Sequence, residues 1–89
     1  MLSLVYTNQF LKSVGELPKS QQNKLADLLE TLQNNPFDSK LHSKNLTGPL
    51  TGFYSFRITR DWRVIFQFLN PDTIKLIEIG HRKDIYRKF

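Results

Sequence analysis

The chain has 89 residues, of which 39% are hydrophobic and 24% charged, as expected for one small globular domain over residues 1–89 rather than a disordered tail. It has no cysteine and only two histidines, which excludes a disulfide framework and disfavours a metal site. Thirteen Lys and Arg against eight Asp and Glu give a net charge of +5, which favours nucleic acid or an acidic protein as a partner.

No apolar run approaches the roughly 18 residues that a membrane span requires, and the N-terminus shows no signal-peptide pattern. We therefore expect a cytoplasmic protein with no membrane partner.

The N-terminal third predicts a strand followed by two helices. Leu2, Leu4 and Tyr6 alternate with other residues, and Thr7 is a typical N-cap for the first helix. Apolar residues then recur at helical spacing in both helices: Phe10, Leu11, Val14 and Leu17 in the first, and Leu25, Leu28, Leu29 and Leu32 in the second. The second helix is predicted to begin at Pro18 or Ser20 and to end at Asn34-Asn35-Pro36.

Residues 36–51 show no regular periodicity, and loops of this length are usually functional or disordered. Lys40, His42 and Lys44 lie in this segment, and an imidazole can exchange a proton near neutral pH. Its leucines predict that the loop is partly ordered against the core.

The run from Tyr54 to Phe68 predicts a hairpin with a three-residue loop, Thr59-Arg60-Asp61. That loop pairs Phe56 with Val64 and Tyr54 with Phe66, whereas a two-residue loop would mix charge into the apolar face. The register set by the three-residue loop places Arg57 directly opposite Arg63. Either both arginines reach water or carboxylates, or they bind an anion with several oxygens, which suits guanidinium groups.

The last strand is predicted to pair Phe66 with Ile77 and Val64 with Ile79. This register keeps Glu78 out of the core and on the arginine face, with Arg82 at the same parity beyond Gly80. Three arginines and one carboxylate would then meet on one open surface of the sheet.

The C-terminal segment is rich in polar and aromatic side chains. Tyr86 and Phe89 either pack back onto the sheet edge or present a face to an unstacked base.

Three motifs together carry a resemblance to a known family. They are L-x-G-x-x-x-G before a strand, R-I-x-x-D-W-R-V-I-F in the hairpin, and a final I-G-H-R-x-D-x-Y. With the predicted order of elements, the chain resembles the RelE/ParE superfamily of toxin–antitoxin toxins over nearly its whole length. The resemblance implies an α+β fold of the type β-α-α-β-β-β, with two N-terminal helices packed on a small, mainly antiparallel, twisted sheet.

The resemblance also implies a function and a partner. Such toxins are held inactive by a cognate antitoxin, for which we expect an acidic, partly disordered segment. The RelE-type branch cleaves messenger RNA in the ribosomal A site without a metal, and the ParE-type branch poisons DNA gyrase and has no nuclease activity.

Several residues match the site positions of the family. Arg63 is similar to the RelE-like strand arginine that contacts the scissile phosphate, and Arg57 to an arginine of YoeB-like toxins and a histidine of YafQ-like toxins. Asp61 and Trp62 match a pair of the YafQ branch. Three residues of the last motif also match. Arg82 is similar to the phosphate-binding arginine of RelE, and His81 is similar to a histidine of YafQ and YoeB. Tyr86 resembles a C-terminal tyrosine or phenylalanine of these enzymes.

The chain also departs from RelE. The paired lysines of the first hairpin strand are replaced by Tyr54 and Phe56, and Tyr86 lies closer to Arg82 than its RelE counterpart does. We therefore expect a histidine or a carboxylate, rather than a lysine of the RelE kind, to act as the base.

We accordingly predict a ribosome-dependent messenger RNA endoribonuclease with no cofactor and no metal, in which the 2′-hydroxyl attacks the scissile phosphate. Arg57, Arg63 and Arg82 are predicted to stabilise the phosphate, His81 to act in proton transfer with Glu78 or His42 as the substitute base, and Tyr86 to belong to the catalytic site. Alternatively, Glu78 neutralises the arginines as a structural ion pair and His42 is a solvated loop residue. The predicted RNA-binding residues are Lys40, Lys44, Arg60, Trp62, Lys83, Arg87 and Lys88. The alternatives are a ParE-like gyrase inhibitor without catalysis, and an inactive basic nucleic-acid-binding relic.

Overall fold

The computed structural model describes residues 1–88, and its elements follow one another as strand, two helices and four strands. Their bounds are β1 Ser3–Tyr6, α1 Asn8–Glu16, α2 Lys19–Asn34, β2 Lys44–Asn45, β3 Tyr54–Arg57, β4 Trp62–Asn70 and β5 Thr73–His81. Short 3₁₀ helices cover Ser39–Leu41, Gly48–Leu50 and Ile85–Lys88. No helix in this part of the chain is long and apolar enough to span a bilayer.

The strands form one five-stranded sheet in the order β1-β5-β4-β3-β2. Strand β1 runs parallel to β5, and the other neighbouring pairs are antiparallel. The predicted α+β fold, with two helices packed on a mainly antiparallel sheet, is confirmed. The structure adds the two-residue strand β2 and two 3₁₀ helices to a segment in which the sequence showed no periodicity.

Thr7 joins the first helix to the sheet. Its side-chain oxygen accepts a hydrogen bond from the backbone N–H of Phe10 at 2.9 Å, which confirms the predicted N-cap. The same hydroxyl donates to the carbonyl of Ile77 in β5 at 2.6 Å. One side chain therefore fixes both the start of α1 and its position over β5.

The main core lies between the two helices and one face of the sheet. Leu25, Leu28 and Leu32 of the predicted stripe are buried, whereas Leu11, predicted to share the apolar face of α1, is 56% exposed. The sheet contributes mainly Phe56, Ile58, Val64, Phe66, Ile74, Leu76 and Ile79. These burials orient the sheet, so that the alternate residues of β3 and β4, such as Ser55, Arg57 and Arg63, point away from the helices.

The β3–β4 register agrees with the prediction. Tyr54 pairs with Phe66, Phe56 with Val64, and Arg57 with Arg63. The backbone N–H of Ile58 donates to the carbonyl of Trp62 at 3.0 Å and closes the three-residue loop. The apolar alternation was sufficient here because a shift of one residue would have moved charge into the core.

The β4–β5 register is confirmed at one pair and wrong at the other. Val64 pairs with Ile79 as predicted, but Phe66 pairs with Leu76 rather than with Ile77, because a register shift interrupts the ladder between Ile65 and Phe66. The extra residue on β5 is accommodated as an irregularity of the β-bulge kind, which a strict period-two pattern cannot represent.

A second, smaller core covers part of the sheet face that points away from the helices, here called the distal face. Leu46, Ile65 and Ile85 are buried there, where the 46–53 loop and the C-terminal 3₁₀ helix pack against the sheet. The prediction of one open surface is therefore wrong for this part of the face. Glu78 pairs with Ile65 on this face, as predicted, but it is only 6% exposed because the structure around it covers the carboxyl group.

Candidate nucleic-acid interface

Two arginines face each other on the distal face. Arg57 ends β3 with an exposed side chain, and its partner in the ladder, Arg63, is half-buried. Nη1 of Arg63 donates to the carbonyls of Thr59 at 3.0 Å and Arg60 at 2.7 Å, so this guanidinium is fixed against the hairpin turn. Among residues 1–88, neither arginine has an ion-pair partner. The arrangement concentrates positive charge at the turn end of the sheet.

Arg82 is held at the same end of the sheet by the hairpin turn. Its Nε lies 3.4 Å from Oδ1 of Asp61, and its backbone N–H donates to the Asp61 carbonyl at 2.7 Å. The two side chains are 41% and 51% exposed, so the ion pair orients Arg82 more than it stabilises the fold. Arg63 pairs with Gly80, two residues before Arg82, which brings the three predicted phosphate-binding arginines to adjacent strand ends.

Tyr86 and Lys44 both lie next to Ser55 on the distal face. The Tyr86 hydroxyl lies 3.4 Å from Oγ of Ser55, a residue that is 2% exposed. Lys44 pairs with Ser55 in the β2–β3 ladder, which places it on the same face, and Lys44 and Tyr86 both line a cavity of about 270 Å³. The sequence predicts Lys44 only as an RNA-binding residue, because a strand of two residues has no periodic signal that would reveal its pairing with β3 and its place in the cavity with Tyr86.

His81 lies on the opposite face from Arg63. It pairs with Trp62, and the two rings are 5.7 Å apart in an edge-on arrangement, while Trp62 packs against the main core. Nδ1 of His81 accepts the backbone N–H of Lys83 at 3.2 Å, so a neutral imidazole would carry its proton on Nε2. The structure brings His81 to the same end of the sheet as the arginines, but not to the same face.

The two substitute bases lie in different surroundings. Oε1 of the buried Glu78 accepts a hydrogen bond from Nε2 of Gln9 in α1 at 3.1 Å, so the first turn of α1 engages this carboxylate. His42 is exposed and has a backbone φ of 50°, in the left-handed region. It lines a second cavity together with Arg57. His42 therefore shares a cavity with a predicted phosphate-binding arginine.

The other predicted RNA-binding residues are spread over the surface. Lys40, Arg60, Lys83 and Arg87 are exposed, and Trp62 is half-buried. Tyr86 packs against the second core, in agreement with the alternative in which its ring packs back onto the sheet. Phe89 and the side chain of Lys88 lie outside the described residues. Within the described part of the chain, no three His, Asp or Glu side chains are grouped as metal ligands would be.

Comparison with known proteins agrees with this fold and with the motifs. A family model described as the ParE toxin of type II toxin-antitoxin system, parDE, matches residues 4–86. The chain therefore belongs to this family of toxins, within the RelE/ParE superfamily. No curated protein sequence matches it significantly.

Solved structures of three toxins are similar to this chain. YafQ from E. coli superimposes with a TM-score of 0.78 at 23% identity, over 97% of this chain and 99% of YafQ. A YoeB/ParE toxin from Agrobacterium tumefaciens gives 0.78 at 20% identity, over 91% and 99% of the two chains. A RelB-RelE antitoxin-toxin complex from Methanococcus jannaschii gives 0.76 at 26% identity, over 96% and 98%.

Proposed function

We propose that this toxin cleaves messenger RNA on the ribosome, with the 2′-hydroxyl of the RNA as nucleophile. The observation that carries the proposal is the placement of Arg57 directly opposite Arg63 on the distal face, with neither paired to a carboxylate in the described chain. Like charges placed directly opposite each other destabilise a sheet. A phosphate with several oxygens offsets that repulsion and suits two guanidinium groups.

The chemistry requires positioning and charge stabilisation more than covalent catalysis. Attack by the 2′-oxygen needs an in-line geometry, cations for the charge on the phosphoryl oxygens, a base for the 2′-hydroxyl and an acid for the 5′-oxygen. We assign phosphate stabilisation to Arg57, Arg63 and Arg82. The Asp61 carboxylate orients Arg82 toward the same end of the sheet.

We assign proton transfer to side chains on both faces of this end. His81 is the proposed base that takes the 2′-hydroxyl proton, on Nδ1 once this nitrogen releases the Lys83 N–H, and His42, which shares a cavity with Arg57, is the substitute base. On the distal face, the Tyr86 hydroxyl, 3.4 Å from Oγ of Ser55, and the ammonium of Lys44 in the same cavity are further groups that can donate a proton to the leaving oxygen. Cleavage rates of the His81→Gln and Tyr86→Phe variants separate the contribution of the imidazole from that of the tyrosine hydroxyl.

The test is primer extension on a translated message, with purified protein in the presence and absence of ribosomes. We expect cuts that need ribosomes and that disappear in Arg63→Ala. Lys12→Ala, an exposed lysine of α1, is the control and should retain them. Growth arrest by wild-type protein without any cuts would contradict the proposal.

A second candidate function is inhibition of DNA gyrase, favoured by the description of the matching family model as a ParE toxin. In that case the distal face would be a binding surface without catalysis. A supercoiling assay with purified gyrase distinguishes the two candidates, because a nuclease of the proposed kind leaves supercoiling unchanged.

We also propose a cognate antitoxin as the protein partner. The matching Methanococcus jannaschii structure is a RelB-RelE antitoxin-toxin complex, and the net charge of +5 here suits an acidic, partly disordered segment that folds on binding. Binding measured by calorimetry should weaken as salt rises from about 0.1 to 1 M, since screening shortens the range of the attraction. Binding that is insensitive to salt would contradict this charge-based recognition.

A further inference from the structure

A basic cavity of about 170 Å³ lies beside the hairpin turn, between α2, the first 3₁₀ helix and the end of β3. We call it the turn cavity. Every ionisable side chain that lines it is a cation or an imidazole: Lys24, Lys40, His42, Arg57 and Arg60. These five side chains are exposed, and none forms an ion pair within residues 1–88. Three separate elements therefore bring positive charge to one concave surface without an acidic side chain in its lining.

The walls of the turn cavity are held in place by buried groups and backbone hydrogen bonds. On one side, Leu41 is fully buried, and Oδ1 of Asp38 accepts the backbone N–H of Lys40 at 2.9 Å. His42 then adopts a left-handed backbone, which a non-glycine residue keeps only where the surrounding structure holds it. On the other side, Nη1 of Arg63 fixes the carbonyls of Thr59 and Arg60. The cationic groups thus project from an ordered frame.

We propose that the turn cavity binds a backbone phosphate of the RNA, next to the phosphate that Arg57 and Arg63 hold. The lining offers guanidinium, ammonium and imidazole N–H donors, which together match an oxyanion with several acceptor oxygens. Arg57 belongs to both sites, since it lines the cavity and pairs with Arg63 across the ladder. Because an RNA strand carries a phosphate at every nucleotide, it can reach both sites at once, and each phosphate offers several oxygens to the guanidinium groups, which favours RNA over the separate carboxylates of an acidic peptide.

This inference rests on the proposed RNA substrate and does not require cleavage. It adds Lys24 of α2 to the RNA-contacting surface, a residue that no sequence motif indicates. Lys24 also permits a clean test, because it lies outside the proposed catalytic groups and replacing an exposed helical lysine by alanine preserves helix propensity.

The first experiment titrates inorganic phosphate, and then a short single-stranded RNA, into ¹⁵N-labelled protein. We expect the largest amide shifts at Lys40, His42 and Arg60, and much smaller ones in Lys24→Ala. The control is Lys19→Ala, an exposed lysine at the start of the same helix that does not line the cavity. For the RNA, Lys24→Ala should weaken binding by up to about fivefold, the size expected for an exposed ion pair. It should also reduce the slope of log K against log salt by about 0.7.

Three outcomes would overturn the inference. In the first, the amides of the cavity residues do not shift on addition of phosphate. In the second, the Lys24→Ala and Lys19→Ala variants bind RNA equally well. In the third, Lys24→Ala weakens the binding of an octaglutamate peptide but not that of RNA. The last result would assign the cavity to a protein partner. If the protein cleaves RNA on the ribosome but the cavity amides do not respond to phosphate, only the inference about the turn cavity is refuted. If the cavity binds phosphate but the protein does not cleave RNA, only the proposed nuclease activity is refuted.

Discussion

Arg57→Gln is predicted to stabilise the fold while reducing RNA cleavage. The substitution removes one of two cations that face each other in the β3–β4 ladder, and it keeps a long polar side chain at an exposed position. The Arg57 side chain forms no ion pair within the described residues, so the folded state loses repulsion without losing an ion pair.

The size of the effect follows from the ladder geometry. Directly opposed side chains contribute about 0.2–1 kcal/mol, and like charges are unfavourable within that range. For a domain of 60–100 residues, 1 kcal/mol shifts Tm by about 4–8 °C, so we expect Arg57→Gln to raise Tm by about 1–8 °C. The gain should shrink in 1 M salt, where the Debye length falls to about 3 Å.

Arg63→Gln is the matched comparison and should act in the opposite direction. It relieves the same repulsion, but it also removes the two hydrogen bonds from Nη1 to the carbonyls of Thr59 and Arg60. Each such bond contributes about 0.5–1.5 kcal/mol net, so the loss exceeds the relief and the variant should unfold more easily by about 1–2 kcal/mol.

The assay is urea unfolding of both single variants and the double variant at low and high salt, which gives the coupling free energy between the two arginines. We expect an unfavourable coupling that salt weakens. The view that Arg57 and Arg63 repel each other when no phosphate is bound would be refuted by a favourable coupling, by a coupling that salt does not change, or by an Arg57→Gln variant that is less stable than the wild type.

Other predictions test the frame around the site. Gly80→Ala should destabilise the fold and lower cleavage, because the added Cβ would lie 2.6 Å from Cδ1 and 3.1 Å from Cβ of Ile85. Thermal unfolding measures this effect, and an unchanged Tm would contradict the prediction. Thr7→Ala loses the N-cap bond and the bond to Ile77, so chemical denaturation should show a loss of about 1–2 kcal/mol, and Thr7→Ser should restore most of it. Tyr86→Phe should leave Tm within about 2 °C, because its hydroxyl contact is long at 3.4 Å, yet slow cleavage on the ribosome by about 10²-fold; equal rates would remove Tyr86 from proton transfer.

The sequence predicted those parts of the fold that depend on periodic burial. The leucines of α2, the N-cap Thr7 and the β3–β4 register follow from local rules, so the placement of Arg57 opposite Arg63 is predictable from the alternation of apolar residues alone. The same rules did not predict the irregularity at Ile77, since one extra residue in a strand leaves the apolar composition unchanged.

The parts of the site that were missed depend on contacts distant in the chain. Glu78 is buried because α1 and the second core close over it, which the alternation of β5 alone does not show. Lys44 reaches its candidate site only through the path of residues 36–51, where the sequence has no period, and the same segment brings Lys40 and His42 beside Lys24 of α2. The position of His81 on the face opposite Arg63 follows from parity once the end of β5 is known.

The chemical identity of the cut ends shows whether the 2′-hydroxyl of the RNA is the nucleophile. A 2′-hydroxyl attack leaves a 2′,3′-cyclic phosphate on the upstream fragment and a 5′-hydroxyl on the downstream one. Once the cut is mapped, a message with one 2′-deoxynucleotide on its 5′ side should resist cleavage on the ribosome. Cleavage of that message, or ends that carry a 3′-hydroxyl and a 5′-phosphate, would contradict the account.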